Sequence, residues 1–228
     1  MQIPGTLLLA SIVWVGAHVG LAGTRLRWTL ARRLGENGFR AVFSILSIGA
    51  IAFLITSFNH AQTTPLWFAP GWLRWVLAFV MLGALMLFVG SVAVRNPTMV
   101  GREQANGEHV RGILRVTRHP MLWSFALWAA VHIIGNGDTA AILFFGAFLV
   151  TALAGMPSID AKLARRNPAS WRTLAAQTSI VPFAAIAQGR NRLAASEIGW
   201  FVPALATVAW IALIIVHPYV FGVSAVLS

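Results

Sequence analysis

The chain contains no cysteine, which excludes disulfides, thiolate metal sites and cysteine-based nucleophilic catalysis. Charge is nearly as scarce. Asp, Glu, Lys and Arg make up 10% of the 228 residues, against about 25% in a soluble domain. So few charges cannot dress a water-exposed surface of this size, and lipid must be the solvent over most of the molecule. Long polar tracts, internal repeats and low-complexity segments are also missing, which leaves no room for a separate soluble domain. The net charge of +11 would suggest a nucleic-acid partner in a soluble protein. Its distribution points to a membrane instead, and no nucleic-acid partner is expected.

What is present is apolar. Stretches at 3–22, 41–58, 71–94, 120–135, 140–156 and 199–220 dominate a chain that is 58% hydrophobic. Most approach the ~20 residues that span ~30 Å of hydrocarbon, although the fourth and fifth are short. The first has no basic start and no small-residue cleavage site, unlike a cleavable signal peptide. Arg25, Arg27, Arg32, Arg33 and Arg40 follow the first stretch. Arg95, Arg102, Arg111, Arg115 and Arg118 lie between the third and fourth, and Lys162, Arg165, Arg166, Arg172, Arg190 and Arg192 between the fifth and sixth. Of the 17 basic residues only Arg74 falls elsewhere. Basic loops stay in the cytoplasm. The pattern predicts an all-α polytopic protein of the bacterial inner (cytoplasmic) membrane, one domain over 1–228, with six transmembrane helices and both termini outside.

The longest cytoplasmic segment, 158–197, carries structure of its own. Pro157 and Ser158 are expected to end one helix and begin another. Residues 159–166 and 170–177 mix apolar side chains with Arg and Lys, as interfacial helices do. Asn167-Pro168 separates them, and Pro182 interrupts 180–187. Gly135-Asn136-Gly137-Asp138 signals a tight turn joining the fourth and fifth helices. Gly16, Gly20 and Gly23 form a small-residue stripe suited to close helix packing.

Two histidines lie within the apolar stretches, each four residues after a tryptophan: Trp14 with His18, and Trp128 with His132. An ionisable group in hydrocarbon is expensive and marks a functional position, against the alternative of a polar fastener between helices. On a rise of 1.5 Å per residue the two sit at depths of ~10 and ~18 Å from the cytoplasmic side. A catalytic zinc generally takes three protein ligands, and no third is expected at that depth. Two imidazoles suffice for haem iron, with Trp14, Trp128 and phenylalanines as an apolar wall. Arg25, Arg27, Arg115 and Arg118 at the cytoplasmic edge suit its propionates, beside the ordinary role of such arginines on lipid phosphate. His119, in Arg118-His119-Pro120, opens a helix at the interface and suits an anionic group. His109 reads as a loop residue, and His60 and His217 as outer-face residues.

The run Arg118-His119-Pro120-Met121-Leu122-Trp123, continued by Leu127-Trp128-Ala129-Ala130-Val131-His132 and the Gly135–Asp138 turn, resembles the NnrU family. Ala17-His18-Val19-Gly20-Leu21-Ala22, Leu34-Gly35-Glu36 and Ser179-Ile180-Val181-Pro182-Phe183-Ala184-Ala185 agree with it, and the likeness covers about 13–187. Families of this kind include denitrification-associated bacterial membrane proteins and a plant haem b isomerase of ζ-carotene. The resemblance implies haem b bound by His18 and His132 as metal ligands, with Trp14, Trp128, Arg25, Arg115, Arg118 and His119 around it. It implies membrane lipid and a hydrophobic polyene as partners. Ala129 stands where the plant enzyme has a cysteine, which excludes a thiolate ligand switch. The alternatives are a non-enzymatic haem electron carrier or accessory factor for nitrogen-oxide respiration, with an unidentified respiratory partner, and a membrane methyltransferase using S-adenosylmethionine. The Arg-His-Pro element also resembles isoprenylcysteine-type methyltransferases over a much shorter stretch.

Overall fold

The computed structural model describes residues 3–93 and 110–226; Arg95, Arg102 and His109 lie outside the described residues, as does the side chain of Arg25. Among the described residues there is no strand, only an isolated bridge between Pro65 and Asp138. All six apolar stretches are helical. In chain order the elements are α1 (Gly5–Val15), a π-helical turn (Gly16–Leu21), α2 (Arg25–Asn59), α3 (Gly71–Ala93), a 3-10 turn (Gly112–Arg115), α4 (Pro120–Asn136) and α5 (Thr139–Arg166). The short α6 (Pro168–Gln177), α7 (Ala184–Ala187) and α8 (Ala195–Ile198) lead to α9 (Phe201–Phe221).

Four of these are long and apolar enough to cross a membrane: Leu26–Asn59, Gly71–Ala93, Thr139–Arg166 and Phe201–Phe221. Their outward faces carry large apolar side chains, such as Ile45 at 70% and Val208 at 63% exposure, which water would penalise and lipid accepts. The chain is a membrane protein. The remaining two apolar stretches are shorter. The first runs from Gly5 to Leu21 including its π turn, and α4 has 17 residues.

Two helices overrun their sequence-predicted limits. The basic segment after the first stretch belongs to α2, broken only at Gly35 with φ 73° and ψ 161°. That backbone region is essentially reserved for glycine. An ion pair from Arg27 to Glu36 spans the break, and Glu36 also meets Arg40 one turn further on, at 3.4 Å. Pro157 ends nothing, because α5 continues through it to Arg166. A proline costs one helical hydrogen bond, which a long membrane helix tolerates. The stop comes at Asn167, whose side chain caps α6 by accepting from the Ser170 amide at 3.1 Å, with Pro168 in the first turn.

The chain divides into two compact units, Met1–Ala69 with Ala129–Ser158, and Pro70–Trp128 with Ile159–Ser228. In the first, the loop after α2 is fastened to the α4–α5 turn. Leu66 and Trp67 donate backbone bonds to the Gly137 carbonyl at 2.8 and 3.1 Å, and Trp67 Nε1 donates to Ile134 O at 2.8 Å. Asp138 accepts from the Ala141 amide and the Thr63 hydroxyl, both 2.8 Å, and so caps α5. In the second unit α3 packs on α9, with Trp210 Nε1 donating to Ala78 O at 2.7 Å. The 3-10 turn buries Ile113 against Leu87 and Val116. Residues 116–118 then lie along 179–183 through Arg118 N to Ser179 O at 3.1 Å and Phe183 N to Val116 O at 2.8 Å.

Candidate functional site

His18 sits in the π-helical turn rather than in regular α-helix. Such turns add a residue to the helical repeat and occur often at functional positions. Its Nδ1 lies 2.9 Å from the Trp14 carbonyl. A carbonyl only accepts, so Nδ1 carries the hydrogen and the lone pair of the neutral ring is on Nε2. That is the tautomer in which a metal-ligating histidine is held by a second partner. The Trp14 ring lies 4.0 Å from the imidazole, centroid to centroid, and Phe43 meets it edge-on at 5.4 Å. Trp14 Nε1 is buried without a hydrogen-bond partner.

His132 lies in the same unit, on α4, stacked on Phe145 of α5 at 4.7 Å. A continuous series of rings connects the two histidines. Trp14 contacts Phe148 at 4.9 Å, Phe148 contacts Phe144 at 5.3 Å, and Phe144 contacts Phe145 at 5.0 Å. Phe144 and Phe148, at i and i+4 of α5, share one side, and Phe145 meets Phe144 edge-on. Sequence patterning assigned the wall to Trp14, Trp128 and unspecified phenylalanines. Phe144, Phe145 and Phe148 are the phenylalanines that stand between Trp14 and His132, and Trp128 lies one turn before His132 on α4.

Does this donor set fit haem b? Two imidazoles are the usual equipment for haem iron, and no group of three or more ligating side chains exists among the described residues. A hydrolytic metal therefore fits poorly, and a two-ligand porphyrin site fits the chemistry. An added Cβ at Gly16 or Gly20 would meet nothing within 4 Å, so the backbone flanking His18 is open to a flat group.

The second unit holds a separate polar cluster at the start of α4. Asp160 Oδ2 accepts from Arg118 Nε at 2.9 Å and Nη2 at 2.6 Å, and its Oδ1 is 2.7 Å from His119 Nε2. Arg118 also donates to Thr178 O at 3.2 Å and lies over the Trp171 ring, 5.1 Å from its centroid. Arg118, His119 and Asp160 are all buried, and His119 Nδ1 has no partner. Arg115 makes a two-pronged pair with Glu197, Nε to Oε2 at 2.8 Å and Nη2 to Oε1 at 2.7 Å. The Gly112 amide adds a third bond to Glu197 at 2.9 Å. Arg115 first and Gly112 second hold the Glu197 carboxyl down to about 2. Thus the carboxylates met by Arg115, Arg118 and His119 belong to the protein itself. Arg27, on α2, pairs with Glu36 and lies over the Phe39 ring at 5.2 Å.

The family described as NnrU protein matches residues 6–225. The chain is similar to the chloroplastic 15-cis-zeta-carotene isomerase of Zea mays, 27% identical over 194 residues, covering 82% of this chain and 52% of the relative. It is similar also to that of Arabidopsis thaliana, 28% identical over 232 residues, covering 96% of this chain and 61% of the relative. The chain spans a little over half the length of these relatives. No solved structure matches it.

Proposed function

This chain belongs to the NnrU family, and from that premise we propose that it is a haem b-dependent membrane isomerase that interconverts cis and trans double bonds of a polyene. The observation that carries the reading is that His18 and His132 lie in one unit, each packed against aromatic rings. The similarity to two isomerases of 15-cis-zeta-carotene supports the reaction class. His18 and His132 would hold the iron, and Trp14, Phe144, Phe145 and Phe148 would line the porphyrin's apolar surface. When bound, haem b supplies a redox-active iron able to draw electron density from a double bond and lower its rotation barrier.

The chain's own residues do the rest. The bond from His18 Nδ1 to Trp14 O fixes the imidazole's tautomer and direction. Aromatic rings exclude water, and a polyene without polar handles binds by apolar contact alone. Cis–trans isomerisation adds and removes no atoms, so no acid, base or leaving group is required. Ala129, fully buried, offers no donor atom, so the ligands this chain would supply to the iron are imidazoles alone.

The same reading has six membrane spans with both termini outside the bacterial inner membrane. The two shorter apolar stretches would cross at the lower end of the ~17–25-residue range, and the confinement of basic residues to alternate connections supports the orientation.

The test is to purify the protein, record oxidised and reduced spectra, and incubate it with 15-cis-ζ-carotene under reducing conditions while following the isomers by chromatography. A Soret band and conversion of the polyene are expected, and His18→Ala and His132→Ala should each lose or alter the haem spectrum. No Soret band after haem reconstitution would overturn the haem assignment. A haem spectrum without conversion would favour the electron-transfer or accessory role.

A further inference from the structure

We propose that the end of the first unit where α1 begins and α2 finishes is a binding site for the ring of a lipid-soluble quinone. A cavity of about 460 Å³ lies there, lined by residues 3–7 and by Phe53, Thr56, Ser57, His60, Ala61 and Gln62. It falls within the about 300–1,000 Å³ of small-molecule sites. The site is independent of His18, His132 and the haem reading.

Three kinds of group face it. The first bond of α1 runs from Leu8 N to Pro4 O, so the amides of Gly5, Thr6 and Leu7 precede the helical ladder and have no acceptor within it. Phe53, Ser57 and His60 share one stripe of α2 at i, i+4 and i+7. Ser57 is only 8% exposed, lines the cavity, and its hydroxyl has no hydrogen-bond partner. A helical serine normally returns its hydroxyl to the carbonyl four residues back, as Thr56 does to Ala52 at 2.8 Å. Its neighbour leaves that hydroxyl for something in the cavity. His60 Nδ1 is 2.8 Å from Thr56 O, so Nδ1 carries a hydrogen and Nε2 is the ring nitrogen left for the cavity.

Backbone amides and a hydroxyl select oxygen acceptors, and no Lys, Arg, Asp or Glu lines the cavity, so the occupant's head is neutral. Apolar walls from Ile3, Leu7 and Phe53 suit a flat ring. Polar groups on two separate helix ends suit a head with two separated oxygens. A quinone answers all of these: its carbonyls accept from the amides and Ser57, and in the reduced form a hydroxyl donates to His60 Nε2.

The experiment titrates a decyl-substituted benzoquinone into the haem-free full-length protein in detergent, read by quenching of tryptophan fluorescence. Saturable quenching is expected. Loss of the single hydrogen bond in Ser57→Ala should weaken binding about 5–10-fold, from a net ~1 kcal/mol. An added Cβ at Gly5 meets nothing within 4 Å, so Gly5→Phe should fill the space and abolish saturation with helicity unchanged by circular dichroism. Unsaturable quenching, identical in all three proteins, overturns the site. Equal displacement by dioleoyl phosphatidylcholine overturns the quinone as its occupant and assigns the cavity to an acyl lipid. Because the measurement needs no haem, its failure is distinct from failure of the isomerase reading.

Discussion

Asp160 is the residue whose importance depends most on what it touches. One carboxylate satisfies two cationic or proton-bearing partners, and Arg118 beside it is only 9% exposed. Removing one partner of a buried ion pair costs about 3–5 kcal/mol, because the other charge stays behind uncompensated. Asp160→Asn should therefore lower the thermal unfolding midpoint in detergent markedly. His119→Ala keeps the Arg118 pair and should cost less, about 1–3 kcal/mol. Equal losses from the two variants would show that Arg118 does not anchor the cluster. His119 and Arg118 stand out in the sequence because they open a helix before a proline. Asp160 does not, since a lone acid among Lys162, Arg165 and Arg166 reads as a surface charge in a basic helix. The available signal was scarcity: Asp160 is one of only 6 acidic residues, and its partners lie 41–42 positions away.

At the scale of elements, glycine and proline carried the boundaries, and only some were readable. Gly137 has φ 67°, and an added Cβ would stand 2.2 Å from Trp67 O. Positive φ alone costs of order 1–3 kcal/mol for other residues, and the contact adds to it. Gly137→Ala should destabilise the protein by at least about 2 kcal/mol. Gly146→Ala, where an added Cβ meets nothing within 4 Å, should be neutral or stabilising by about 0.5–1 kcal/mol. Similar unfolding midpoints for both would sink the argument for the turn. That turn was legible because Gly-Asn-Gly-Asp has local chemistry that few other structures use. Pro157 misled as a stop, because helical continuity on either side outweighs a single breaker. The contact of α8 with the 3-10 turn supplies a pH dependence. The Glu197 carboxyl falls from 4.5 to about 2 on folding. Its contribution is complete above the unfolded value and is lost as pH falls from about 5 towards 2, since the unfolded chain then binds the proton first. Amide exchange at Gly112 should accelerate over that window in the native protein and lose the pH-dependent step in Glu197→Gln. A step of the same size in both would assign it to another group.

For the molecule as a whole, the sequence conveyed solvent and helix positions more fully than chemistry. Hydropathy marks the four long apolar helices because lipid imposes the same requirement on each. The ring series was only half visible, since Trp14, His18 and His132 are rare residues in rare places while Phe144, Phe145 and Phe148 are three among 14 phenylalanines. Orientation is the property on which both spacing and charge bear, and the absence of cysteine makes it directly measurable. Gln62 and Arg172 are both exposed and lie on opposite sides in the six-span reading. A single cysteine at Gln62→Cys should react with a membrane-impermeant maleimide in intact cells, while Arg172→Cys should react only after the membrane is permeabilised. Each protein carries one thiol, so labelling reports one position without correction for background. Reversed labelling would invert the topology and overturn the reading of the basic connections as cytoplasmic. Labelling of both sites in intact cells would require an odd number of crossings between them to become even, and α4 or another apolar helix would then lie within one face of the bilayer.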